Sequence, residues 1–136
     1  MRIIGLKKIK KKIMKNSKGD ILKYVNKKDY FFKKFGEIYF NEIKLNKRKG
    51  WNLHKKNTCI ISIIYGKVEF KFIDGRNKSS SFGMKDKIVL SKKSHRMITI
   101  PPGIWFSFKS LNKISIIANL IDDVHNKNET MKSEVV

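Results

Sequence analysis

From Lys49 to Cys59 the chain reads Lys-Gly-Trp-Asn-Leu-His-Lys-Lys-Asn-Thr-Cys, and this stretch holds most of the side chains able to do chemistry. His54 is the natural proton carrier, because an unperturbed imidazole titrates near working pH. A divalent transition metal wants three or four ligands, and His54 alone, or His54 with Cys59, falls short of that. No metal and no cofactor are therefore expected. Trp51 and Trp105 offer flat apolar surface for stacking or pocket lining, with core packing as the plain reading of at least one. Tyr39 supplies a hydroxyl on an alternating segment, although a tyrosine at period-two spacing also serves as ordinary packing. Arg76 lies just beyond a strand, within reach of an anion or simply in a loop. His95 reads as an exposed loop residue, and Cys59 as a small buried hydrophobe.

Short strands must position these groups. Residues 37–43 (EIYFNEI) and 68–73 (VEFKFI) alternate, and in the second Val68, Phe70 and Phe72 share one face. Residues 59–65 (CIISIIY) and 114–121 (ISIIANLI) are nearly continuous apolar runs, as strands covered on both sides should be. Turns fall at Gly66, Asp74-Gly75, Pro101-Pro102-Gly103 and Leu111-Asn112-Lys113. A helical turn is expected only around residues 27–34 (KKDYFFKK). The fold class that follows is all-β, a jelly-roll sandwich or barrel of about eight strands. One domain is expected over residues 1–125, with a loose polar tail over 126–136.

The chain has 136 residues and a net charge of +21, with 40% apolar and 11% aromatic residues, a globular composition. The excess charge is overwhelmingly lysine, with only Arg2, Arg48, Arg76 and Arg96 as arginines, and it is spread from Lys7 to Lys132. Base readout favours arginine's fork, and no nucleic-acid signature is present, so no nucleic-acid partner is expected. A field of this size would steer any anionic substrate inward. The run Cys59–Tyr65 is about a third of a membrane-spanning length. The start, MRIIGLKKIKKKIM, breaks its apolar positions with lysines. No membrane association and a cytoplasmic location are the expectations, and a lone cysteine agrees with a reducing compartment.

The spacing around His54 overlays the first cupin motif, His-x-His then Glu then Gly, at Asn52, His54, Cys59 and Gly66. The second motif, P-x-G-x-x-H, overlays Pro101, Gly103 and Phe106, so Asn, Cys and Phe stand where metal ligands usually do. Six ordered segments extend the likeness: KGDI (18–21), FGEIYF (35–40), KGWNLHKK (49–56), GKVEFKFID (66–74), RMITIPPGIWFSF (96–108) and NLIDDVHNKNE (119–129). On these segments the chain resembles the shorter members of the dTDP-4-dehydrorhamnose 3,5-epimerase family, which are metal-free cupins. The resemblance implies a cupin jelly roll, a homodimer and a nucleoside-diphosphate sugar as ligand. It implies proton abstraction next to the C4 ketone of a 4-keto-6-deoxy sugar, for deoxysugar or surface-polysaccharide synthesis.

Carried over residue by residue, the family's base position holds Asn52, and its tyrosine acid aligns near Ala118 or Asn119. By this resemblance His54, in the second histidine place, becomes the base and Tyr39 the surviving acid. Lys49 stands at the family's phosphate-binding arginine. Trp51, Asn52, Arg76 and Asn119 complete the substrate-binding set, and His125 in the closing segment has no assigned role. Two alternatives stand beside the epimerase reading: a sugar 3,4-ketoisomerase, and a degenerate cupin that binds a sugar nucleotide without turnover.

Overall fold

Alternating and continuous apolar patterns become two kinds of strand, one-faced and two-faced. The computed structural model describes residues 1–134. In chain order its strands are β1 (Lys7–Lys10), β2 (Ile13–Met14), β3 (Ile21–Leu22), β4 (Glu37–Lys44), β5 (Arg48–His54) and β6 (Cys59–Tyr65). They continue with β7 (Lys67–Asp74), β8 (Lys85–Ser91), β9 (Arg96–Ile100), β10 (Ile104–Ser110), β11 (Ile114–Ile121) and β12 (Thr130–Lys132). Two five-stranded antiparallel sheets result, in the orders β1-β9-β6-β11-β4 and β12-β5-β10-β7-β8, with β2 and β3 as a separate hairpin.

The sheets close face to face over one apolar core. β7 turns Val68, Phe70 and Phe72 inward, all fully buried, while Lys67 and Lys71 stay in solvent. Ile61, Ile98 and Ile117 meet them from the opposite sheet, within the same cluster. Burial of each such side chain contributes roughly 1.5–3 kcal/mol. β6 is buried on both faces, and the structure supplies the second cover: Tyr24, Val25, Phe31 and Phe32 pack outside the sheet on Ile60, Met97 and Leu120. The Tyr24 hydroxyl donates to the Ile60 carbonyl and ties this outer layer down.

That cover is not helical, contrary to the expectation for residues 27–34. Asn26 Oδ1 accepts from Lys28 N, Asp29 Oδ2 accepts from Asn26 N, and Phe32 N donates to Asp29 O. Such side-chain-to-backbone bonds compete with helix formation, and so short a segment nucleates poorly.

The expected loose tail also needs correction. Thr130–Lys132 forms β12 and pairs with β5, with Thr130 opposite His54 and Lys132 opposite Asn52. Its anchoring is polar: Trp51 and Ser133 exchange both backbone hydrogen bonds, and Lys55 N donates to Glu129 O. A segment held by hydrogen bonds carries no apolar signature. The final residues of that expected tail, 135–136, lie outside the described residues. Among the described residues no helix is long and apolar enough to cross a membrane.

Candidate active site

A cavity of about 130 Å³ opens between the two sheets. Tyr39, Ile117 and Asn119 line it from the β4–β11 side; Asn52, His54 and Phe106 line it from the β5–β10 side.

β5 presents its residues in an order that simple alternation would forbid. Its register against β10 shifts between Phe106 and Ser107, so that Phe106 faces Asn52 while Ser107 faces Gly50. Trp51 is the extra residue of a β-bulge. Because of it, Lys49 (opposite Phe108), Asn52 and His54 all turn to the cavity side. Gly50 permits the distortion: its φ is 107°, and a Cβ there would sit 2.8 Å from the Phe106 carbonyl oxygen.

His54 is buried, its ring stacked at 20° on Phe106. Its Nδ1 lies 2.7 Å from Glu129 Oε1. Burial alone would discourage ionisation of Glu129. The backbone N–H groups of Asn57 and Lys56, both 2.9 Å from Oε2, together with the His54 ring outweigh it and hold the carboxyl down at about 2. An ionised carboxylate only accepts hydrogen bonds, so Nδ1 presents its proton to Glu129, and in the neutral form of the ring the lone pair is on Nε2. Such a carboxylate fixes the tautomer and orientation of the ring and would stabilise an imidazolium. The pair has the geometry of a base with its orienting partner.

Tyr39 and Asn119 face it from the opposite sheet, directly paired across β4 and β11. Asn119 Nδ2 donates to the Tyr39 hydroxyl at 2.8 Å. Burial, followed by the neighbouring Cys59, pushes the Tyr39 phenol up to about 12, so it stays protonated at neutral pH. Cys59 is itself fully buried, and burial raises its thiol to about 12. A thiol so placed is inert.

Comparison with known proteins gives the family and the fold. The family model for dTDP-4-dehydrorhamnose 3,5-epimerase matches residues 1–134. The chain belongs to that family. It is a sugar-nucleotide isomerase of the epimerase type with a jelly-roll β fold, as its segments implied. A solved dTDP sugar isomerase from Desulfovibrio desulfuricans G20 superposes with a TM-score of 0.93 at 25% identity, covering 97% of this chain and 85% of that one. The dTDP-6-deoxy-D-glucose-3,5-epimerase of Legionella pneumophila Philadelphia 1, solved with dTDP-4-keto-L-rhamnose, gives 0.91 at 21% identity, with 100% and 76% coverage. The dTDP-4-dehydrorhamnose 3,5-epimerase of Bacillus anthracis str. Ames, solved with TDP and PPi, gives 0.88 at 18%, with 94% and 78% coverage. No curated protein matches the chain.

Within this epimerase-family frame, His54, Tyr39, Asn52 and Asn119 converge on one cavity. Lys49 reaches its rim, where Nζ donates to Asn41 Oδ1 at 2.6 Å. Trp51 lies outside the cavity, in an adjoining groove that Asn52 and Lys132 share with it. Arg76 is not brought to the site. Its Nε and Nη2 hold both oxygens of Asp74 at 2.9 Å, and Nη2 also reaches the Ile4 carbonyl. His95, expected in an exposed loop, is buried, and its ring nitrogen Nε2 meets the Lys23 carbonyl. His125 joins the cavity lining. Among the described residues no group of three or more His, Cys, Asp or Glu is placed to hold a metal.

The residues that sequence reasoning missed are Glu129, Thr130 and Lys132. Glu129 sits in the closing NLIDDVHNKNE segment, which carried the resemblance but named no partner for His54. The one available signal was an acid inside a matching segment. Its 75-residue separation from His54 hid the pairing.

Proposed function

We propose that this chain epimerises a nucleoside-diphosphate 4-keto-6-deoxy sugar, dTDP-linked as in its structural relatives, at C3, C5 or both. The observation that carries the proposal is the buried His54–Glu129 pair facing the protonated Tyr39 across a cavity walled by opposite sheets. Epimerisation needs this two-sidedness. The C4 ketone acidifies the neighbouring C–H bond; His54 Nε2 takes that proton, and the bonding electrons move onto O4 as an enolate. Tyr39 then gives its hydroxyl proton to the other face of the carbon, and solvent restores both groups. Glu129 supports the imidazolium in between. Asn52, on the His54 side, is placed to donate a hydrogen bond to the developing oxyanion.

The cavity is smaller than the several hundred Å³ of a whole-ligand pocket, so only the sugar enters it. The diphosphate lies over Lys49 and Lys132, and Trp51 offers the nucleotide base a flat face in the adjoining groove. The net charge of +21 steers the dianion to this mouth, so kcat/KM should fall as salt rises.

A homodimer formed along β4 completes the reading. β4 is a sheet edge with Ile38 and Phe40 exposed on it, Phe40 to 68%. Phe40→Glu should yield monomers by light scattering. A cytoplasmic location, beside a soluble sugar nucleotide, is part of the same proposal.

The deciding experiment is incubation with dTDP-4-keto-6-deoxyglucose in D2O, followed by NMR. Deuterium at C3 or C5 with inverted configuration is expected. A 3-keto product would make the chain a ketoisomerase. Tight binding without any exchange would leave it a binding module.

A further inference from the structure

Asn119 is 3% exposed, and its two amide ends are treated unequally. Nδ2–H donates to the Tyr39 hydroxyl at 2.8 Å, whereas Oδ1 is buried with no hydrogen-bond partner among the described residues. Leaving a buried carbonyl oxygen unpaired costs about 1–3 kcal/mol. In the folded chain such an atom points to a donor that arrives later. The Cys59 thiol packs beside this amide but is only a weak donor, so the strong donor that Oδ1 lacks is one that enters the cavity, which Asn119 lines on the same inward face of β11 as Ile117.

The chemistry of the proposed substrate narrows the choice. A 4-keto-6-deoxyhexose linked through C1 presents acceptors at its ketone and ring oxygen and a methyl at C6. Its only hydrogen-bond donors are the hydroxyls at C2 and C3. An amide oxygen can recognise nothing else on this ring. The other end of the amide acts on the acid. A phenol has one proton to give and two lone pairs. Asn119 Nδ2–H occupies one lone pair of Tyr39, so the phenol's own proton is directed away from Asn119.

We propose that Asn119 is a specificity and positioning residue whose Oδ1 accepts a hydrogen bond from the C2 or C3 hydroxyl of the sugar while its Nδ2–H orients Tyr39. The proposal rests on the epimerase reading above. One side chain thus reads the substrate on its oxygen and aims the proton donor with its nitrogen. A sugar lacking the hydroxyl leaves Oδ1 orphaned in the complex.

The test is binding calorimetry with dTDP-6-deoxy-D-glucose, which lacks the ketone and does not react, and with its 2-deoxy and 3-deoxy forms. Wild type should bind one deoxy form about ten-fold more weakly than the parent. Asn119→Leu, which removes the acceptor at similar volume, should bind that form and the parent equally well. Asn119→Ala serves the same purpose should the leucine variant fail to fold. Equal weakening in wild type and variant, or no weakening by either deoxy form, overturns the role of Asn119 while the epimerase reading stands. Failure of wild type to bind the parent compound, together with no deuterium exchange, overturns both.

Discussion

Two buried carboxylates, Asp74 and Glu129, make an instructive pair. Each is ionised against the pressure of burial and bonded to a basic side chain, with one backbone N–H on Asp74 and two on Glu129. Asp74 meets Arg76 two residues along the same loop, with Ser81 closing the remaining space. Burial opposes its ionisation, but Arg76 and Ser81 hold it far below the usual carboxylate range. Glu129 instead reaches across the fold to His54. Arginine never gives up its proton, so the first pair is a fixed clamp on the β7–β8 connection. Histidine does, so the second pair can carry a proton through a reaction. Similar electrostatic construction serves stability in one place and, on the proposed function, chemistry in the other, and the titrability of the partner decides which.

The comparison predicts a graded series of effects. The largest should follow His54→Ala: deuterium exchange into the sugar falls by about 10³-fold or more while the melting curve stays cooperative. Surviving exchange would remove His54 from the base role. Glu129→Gln keeps the shape but loses the charge that supports an imidazolium; kcat should fall roughly 10²-fold with little change in KM, measured at saturating substrate. A change in KM alone would reduce Glu129 to a binding contact.

Asp74→Ala should act on stability and not on chemistry. It removes the buried half of an ion pair and should lower unfolding free energy by about 3 kcal/mol in urea titrations, with kcat within two-fold or so of wild type. The smallest effect concerns acid. The folded-state value of Glu129 is depressed to about 2 from the usual 4.5, so its stabilising contribution is complete above about 4.5 and is lost as pH falls towards 2. Between pH 5 and 2, Glu129→Gln should therefore lose less stability than wild type. Parallel stability curves would show that Glu129 is not depressed.

Much of the fold was legible because burial writes itself into apolar spacing. The alternation in Val68, Phe70 and Phe72 and the continuity of Cys59–Tyr65 each correspond to a strand of the expected kind. The outer layer from Tyr24 to Phe32 was harder, since its aromatics are mixed with lysines and shaped by Asn26 and Asp29 side-chain bonds. β12 was invisible because hydrogen bonds, and not apolar burial, hold it. In the site, His54 and Tyr39 stood out by residue type and spacing, Asn52 and Asn119 only through the family resemblance, and the structure brings all four to one cavity. Arg76 was over-read, because a loop arginine looks the same whether it waits for a phosphate or is already spent on Asp74. Glu129 was under-read for the converse reason: its importance is a distance in space that nothing local records.

The bulge at Trp51 has an engineering consequence. It acts as a phase shifter: one surplus residue puts Lys49 on the same side of the strand as Asn52 and His54. Deleting Trp51 would return β5 to strict two-residue rhythm with Lys49, Asn52 and His54 still on one side, because Phe106–Asn52, Ser107–Gly50 and Phe108–Lys49 would then be consecutive pairs. Such a deletion variant would be expected to keep the cavity side of β5, Lys49 included, and to lose only the flat face that Trp51 itself presents in the adjoining groove, so the surplus residue can be removed to test that face alone.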